Sequence, residues 1–162
     1  MIHINYTELF EKGQELSRQF LSNTPFEHIV IDNFLSAQSY KQLVNIFPAP
    51  EDDIWKQPSN AHVSGKMVTK RGPLDVKELV YSADARNILR EFNSAGFLTF
   101  LEKLTGINGL LGDPYLAEAG FHCSGHNGYL SPHADFSHQD KIGLERRLNF
   151  ILYLNEDWSE EY

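Results

Sequence analysis

Cysteine is almost missing from this chain. Cys123 stands alone among 162 residues, so no intramolecular disulfide can form and a disulfide-built secreted scaffold is excluded. Positive charge is also scarce. Lysine and arginine number 14 against 22 acidic residues, for a formal net charge of −8. General nucleic-acid binding needs a basic face to neutralise phosphates, so that class is excluded, although a local basic pocket for a small anion is not. No apolar run approaches the length of a membrane span. The opening Met1-Ile-His-Ile-Asn-Tyr-Thr-Glu8 has neither the basic nor the apolar stretch of a secretory signal. A cytoplasmic protein without a membrane partner is the expectation, and nothing in the sequence specifies an oligomeric state.

What is present suits one packed domain. Hydrophobic residues make up 41% of the chain and aromatic residues 12%, enough to bury a core. Asn5, with Glu8 three residues on, predicts a helix start; Leu9, Phe10, Gly13, Leu16, Phe20 and Leu21 follow at near-helical spacing up to Pro25. The β-branched run His28-Ile-Val-Ile-Asp-Asn-Phe-Leu35 predicts a strand. Ser36 can cap a second helix carrying Tyr40, Leu43, Val44 and Phe47 on its apolar stripe, with Leu35 and Tyr40 at staple positions and Pro48 as its stop.

Residues 48 to about 82 are rich in proline and glycine and predict a long irregular segment with short strands near Val63 and Met67-Val68. Its Lys66, Lys70 and Arg71 fit either a solvated basic loop or a lid over a substrate. Residues 83 to 105 predict one kinked helix or two in succession, interrupted at Asn93-Ser-Ala-Gly96 and closed by Gly106. From 115 onward short runs separated by turn residues predict strands at Tyr115–His122, Tyr129–Phe136 and Arg146–Asn155. In the last, Arg147, Asn149, Ile151, Tyr153 and Asn155 alternate with Leu148, Phe150, Leu152 and Leu154. Helices first and strands afterwards give an α+β class, helices backing a sheet.

The chemistry centres on His133-Ala134-Asp135. In an extended strand, residues i and i+2 face one side, so the imidazole and carboxylate converge. Such a pair is two thirds of a facial triad, the site that suits non-haem Fe(II) and leaves positions open. The alternative is a surface histidine and aspartate at a strand end.

The stretch from His122-Cys-Ser-Gly-His-Asn-Gly-Tyr-Leu through Ser-Pro-His133-Ala-Asp135-Phe, a short polar loop, and Arg146-Arg-Leu-Asn-Phe-Ile-Leu-Tyr-Leu-Asn-Glu-Asp-Trp158 resembles the core of prolyl-hydroxylase-like Fe(II)/2-oxoglutarate-dependent dioxygenases. Pro25–Leu35, Leu101–Ile107 and Gly112-Asp-Pro-Tyr115 are similar to a bacterial branch of the group. The resemblance implies a partial double-stranded β-helix, or jelly roll. Residues 1–110 would be mainly helical support with one early strand, and residues 111–162 the first β-helix strands, in a single incomplete oxygenase domain. It implies His133 and Asp135 as iron ligands. Tyr153 would bond 2-oxoglutarate, with Asn149 and Ile151 lining its pocket; a core tyrosine finding any buried acceptor is the alternative for Tyr153. The implied cofactors are Fe(II) and 2-oxoglutarate as co-substrate, with ascorbate used by many members. The partner would be a peptide or a small-molecule substrate.

His122, His126 and Tyr129 precede the motif and are candidates for substrate contact; polar residues beside a turn are the plainer alternative. Cys123 reads as a small buried hydrophobe. Of Arg146 and Arg147, alternation lets at most one point into a barrel, where it could pair with an anionic substrate. The family's distal histidine and the basic residue after it have no counterpart: His138 follows Asp135 too closely, and nothing basic follows Arg147. A closed jelly roll also needs more strands than the residues after Asp135 supply. A truncated, by itself inactive oxygenase is therefore the expectation. A non-catalytic binding domain on a degenerate β-helix scaffold competes with it, and a cupin-like isomerase or metal hydrolase is a more distant third.

Overall fold

The structure is a computed structural model that describes residues 3–49, 52, 63–64, 67–68, 82–114, 120–124, 129–140, 142–156 and 159. Among the described residues five helices form the body, and each starts or stops for a local reason. Asn5 accepts a hydrogen bond from the Glu8 amide and opens α1 (Tyr6–Glu11), which gives way at Lys12 to α2 (Gly13–Ser22). Ser36 accepts from the Ser39 amide at 3.1 Å to open α3 (Ala37–Ile46). Ser82 caps α4 (Ala83–Glu91), and Ser94 caps α5 (Ala95–Thr105) through the Phe97 amide at 3.2 Å. The 83–105 region is thus two helices. Gly106, at φ 74°, terminates α5 in the left-handed conformation that costs a side-chain-bearing residue most.

The apolar stripe of α5 supplies the centre of the core. Phe97, Phe100 and Leu104 are buried at helical spacing, and α1 and α2 pack across this helix. Ile88 and Leu89 from α4, Leu43 from α3, Leu9 from α1, and Ile4, Leu35 and Phe121 complete the cluster. Phe97 also lies within an aromatic group, its ring centroid 5.2 Å from Phe92, 6.3 Å from Phe34 and 5.0 Å from Phe150.

The described strands are short. β1 (Val63–Ser64) pairs antiparallel with β4 (Tyr129–Leu130), and β2 (Met67–Val68) with β3 (Cys123–Ser124). Residues 63–64 and 67–68 therefore run antiparallel beside 129–130 and 123–124. β5 (His138–Gln139) and β6 (Leu144–Glu145) form a hairpin.

Two expected strands take another form. Residues 28–35 join no ladder and turn at Asp32-Asn33, where Asn33 adopts φ 54°. Ile29, Ile31 and Phe34 pack on the core while Val30 is 80% exposed, so the β-branched run is selected by one-sided burial and not by strand pairing. Residues 146–155 also lie outside any ladder, yet their burial alternates. Leu148, Leu152 and Leu154 are half-buried, Asn149, Ile151 and Tyr153 are exposed, and Phe150 departs from the alternation at 39% exposed. One side of the Phe150 ring rests against Phe92 and Phe97, and the Leu154 carbonyl accepts from the Tyr40 hydroxyl at 2.9 Å. In the expected strand Tyr129–Phe136 only Tyr129 and Leu130 pair, and most of Tyr115–His122 lies outside the described residues. So do Lys66, Lys70 and Arg71.

The Tyr6 hydroxyl ties α1 to the α4–α5 junction, donating to Glu91 at 2.6 Å with Ser94 at 3.2 Å. Burial, then the adjacent Glu91 carboxylate, push its pKa from 10.0 up to about 12. The folded state therefore favours the protonated phenol. Its stabilising contribution is complete below pH 10 and declines as pH rises from there to about 12, because the unfolded chain loses that proton first. Urea unfolding across this range should show stability falling with pH, and the slope should flatten in Y6F. In the core, F97A is expected to cost about 3–5 kcal/mol, since the ring is buried within the aromatic group and its loss leaves a cavity; urea denaturation at neutral pH measures it.

Candidate metal-binding site

His133 and Asp135 meet at a single point. The imidazole Nε2 lies 3.3 Å from Asp135 Oδ1. On the other side of the ring, Nδ1 is 2.8 Å from the Ser131 carbonyl, which can only accept, so Nδ1 carries the proton. That leaves Nε2, in the neutral ring, with its lone pair turned towards a carboxylate oxygen. Two electron-rich atoms at this distance repel unless a cation lies between them. A proton can fill that place, making the contact an ion pair. So can a metal: neighbouring donors on an octahedron with bonds of about 2.1 Å stand about 3.0 Å apart. A ligating histidine whose second nitrogen donates to a backbone carbonyl is also the usual arrangement at metal sites. Both side chains are nearly half exposed, so the pair is accessible from solvent. Among the described residues, no third His, Cys, Asp or Glu joins them.

The other carboxylate oxygen is already engaged. Arg146 Nη2 lies 3.0 Å from Asp135 Oδ2 and 3.0 Å from Asn149 Oδ1, to which it donates. The guanidinium carbon stands 5.3 Å from the centre of the Phe136 ring, a cation–π distance. Arg146 reaches Asp135 because the chain doubles back between them. The polar loop expected after the motif is the β5–β6 hairpin, in which His138 faces Glu145 and Gln139 faces Leu144. One step further along, the Arg146 amide donates to the Ser137 carbonyl at 2.8 Å. The turn closes through the Ile142 and Gly143 amides onto the Gln139 carbonyl, with Gly143 at φ 63°.

The remaining candidates are placed unevenly. Asn149 joins the cluster through Arg146. Ile151 and Tyr153 share its side of the segment and are 60% and 75% exposed, and the Tyr153 hydroxyl has no hydrogen bond among the described residues. Burial therefore does not favour the core-tyrosine alternative: Tyr153 is on the open face. His122 is exposed immediately before β3, and Cys123 is half-buried within it. Tyr129 lies in β4 opposite Ser64, while His126 lies outside the described residues. His138 approaches Asp140 at 3.6 Å and not the His133 pair. The role of Arg146 towards Asp135 escapes the alternation rule, because a hairpin creates it; a glycine close before Glu145-Arg146 is the sequence signal for that turn.

No protein-family model matches the chain, and no curated protein and no solved structure matches it either. Among the described residues, no helix is long and apolar enough to cross a membrane.

The hairpin turn can be tested apart from the site it serves. A Cβ on Gly143 would meet nothing within 4 Å, so the cost of substitution is confined to the backbone conformation. G143A is expected to destabilise the chain by about 1 kcal/mol and G143N by less, since asparagine tolerates positive φ. Thermal unfolding of the two variants beside wild type measures the difference.

Proposed function

We propose that this chain carries the first two iron ligands of an Fe(II)/2-oxoglutarate-dependent dioxygenase of the prolyl-hydroxylase-like group, His133 and Asp135. The observation that carries the reading is the approach of His133 Nε2 to Asp135 Oδ1 at 3.3 Å, with Nδ1 tied back to the Ser131 carbonyl. The order of the Gly-Tyr-Leu, His-x-Asp and Tyr-Leu-Asn elements supports it. The reaction would hydroxylate a C–H bond of a peptide or small molecule. One atom of O₂ enters that bond, and the other enters succinate as 2-oxoglutarate loses CO₂. Bound iron supplies the redox chemistry of that step. The chain's own residues hold and orient: Ser131 fixes the imidazole, Asp135 supplies negative charge, and Asn149, Ile151 and Tyr153 present one open face on the same segment.

A double-stranded β-helix with helical support belongs to the same proposal. The antiparallel pairing of 63–64 with 129–130 and of 67–68 with 123–124 supports it, as do the half-buried Leu148, Leu152 and Leu154 set against the exposed Asn149, Ile151 and Tyr153. The exposed face of Asn149, Ile151 and Tyr153 is the one that would look into such a barrel.

A second reading, a binding domain on a degenerate β-helix scaffold, is favoured by one fact: the His133–Asp135 pair has no third donor among the described residues. Titration of the 162-residue chain with Co(II), with and without 2-oxoglutarate, separates the two. The dioxygenase reading expects weak Co(II) binding that H133A and D135A each abolish, and a tightening of about tenfold by 2-oxoglutarate as it supplies further donors. Absence of Co(II) binding, or binding indifferent to both substitutions, overturns it in favour of the binding domain. Co(II) binding that 2-oxoglutarate leaves unchanged removes the oxygenase assignment while retaining a metal site.

A further inference from the structure

Arg146 is bound more closely into the site than either metal-ligand candidate. Its side chain is 23% exposed, against 43% for Asp135 and 46% for His133. Its backbone is fixed to Ser137, its guanidinium lies against Phe136, and Nη2 bridges Asp135 Oδ2 and Asn149 Oδ1. Among the described residues, Nη1 is buried without a hydrogen-bond partner. The backbone tie, the ring contact and the two acceptors on Nη2 hold the guanidinium in place, so it is not a surface cation that happens to reach a carboxylate.

The two oxygens of Asp135 are thereby divided. Oδ1 faces His133 Nε2, and Oδ2 faces Arg146. We propose that Arg146 is a positioning residue that confines Asp135 to one-oxygen ligation of a metal. The inference rests on the reading of His133 and Asp135 as ligands. Carboxylates bind metals through one oxygen or two, and the choice decides how many positions remain. Two-oxygen ligation would take a position that a facial site keeps for substrate chemistry. Arginine suits the task because its planar fork fixes both distance and direction, which the single ammonium of lysine does not. Asn149 contributes by accepting from the same Nη2.

The test is Co(II) titration of the full chain followed by visible absorption, comparing wild type, R146M, R146K and H133A. Confinement by Arg146 predicts that R146M weakens Co(II) binding about tenfold or more and alters the absorption envelope, as the freed carboxylate changes its mode of ligation. R146K keeps the charge without the fork, and should fall between the two in affinity with a spectrum displaced from wild type. A residue that merely anchors the hairpin would lower the melting temperature and leave the Co(II) spectrum as it is; that outcome overturns the proposal. Tighter binding in R146M, the result of removing a repelling charge and nothing else, also overturns it. If R146M does not fold, R146K decides alone, and an unshifted spectrum counts against the proposal. Failure of wild type to bind Co(II), or binding that survives H133A, defeats the ligand assignment itself. That is distinct from a wild-type site that binds normally and ignores Arg146.

Discussion

The contact of Phe150 with Phe92, Phe97 and Phe34 anchors the C-terminal segment to the helical core. Its ring stands 4.9 Å from Phe92, 5.0 Å from Phe97 and 5.9 Å from Phe34, so a segment without ladder hydrogen bonds is still fixed in position by packing. Fixing one residue of an alternating run fixes them all. With Phe150 against these rings, Leu148, Leu152 and Leu154 lie half-buried on the same side, and Asn149, Ile151 and Tyr153 are left facing out. Dispersion between rings and the removal of apolar surface from water drive this arrangement, which needs no strand partner.

The candidate site grows from a second, polar constraint at the other end of the same segment. The hairpin brings Arg146 back beside Ser137, and its guanidinium then finds the carboxylate of Asp135. Charge, cation–π contact and a hydrogen bond from the same group converge there. Asp135 is therefore oriented before any metal is considered, and His133 is oriented independently by the Ser131 carbonyl. Each member of the pair has its own support.

Helix boundaries were the most legible part of the sequence. Asn5 and Ser36 mark helix starts, Asn93–Gly96 marks an interruption and Gly106 a stop, because capping is local chemistry that a few neighbouring residues decide. The short strands at Val63 and Met67-Val68 were legible too. The run from His28 to Leu35 misled because β-branched residues report a half-buried surface, whether or not another strand borders it. Asp32-Asn33 within that run was itself a turn signal. At the site, the meeting of His133 with Asp135 was readable from their spacing. The place of Arg146 was not, because it depends on a turn that folds separate residues together, and alternation says nothing across a turn.

The two anchors of the C-terminal segment together act as a ruler. Arg146 is tied to Ser137 and Asp135, Phe150 is tied to the helical aromatics, and the backbone between them has a fixed length. Losing or gaining one residue in this interval would force a choice between the aromatic contact and the carboxylate contact, since the alternation reverses with each step. The hairpin turn before Arg146 is free of that demand, because extra residues there can bulge into solvent. Length variation is thus permitted on one side of Arg146 and forbidden on the other. That asymmetry makes spacing, more than residue identity, the property by which this segment communicates the position of the core to the site.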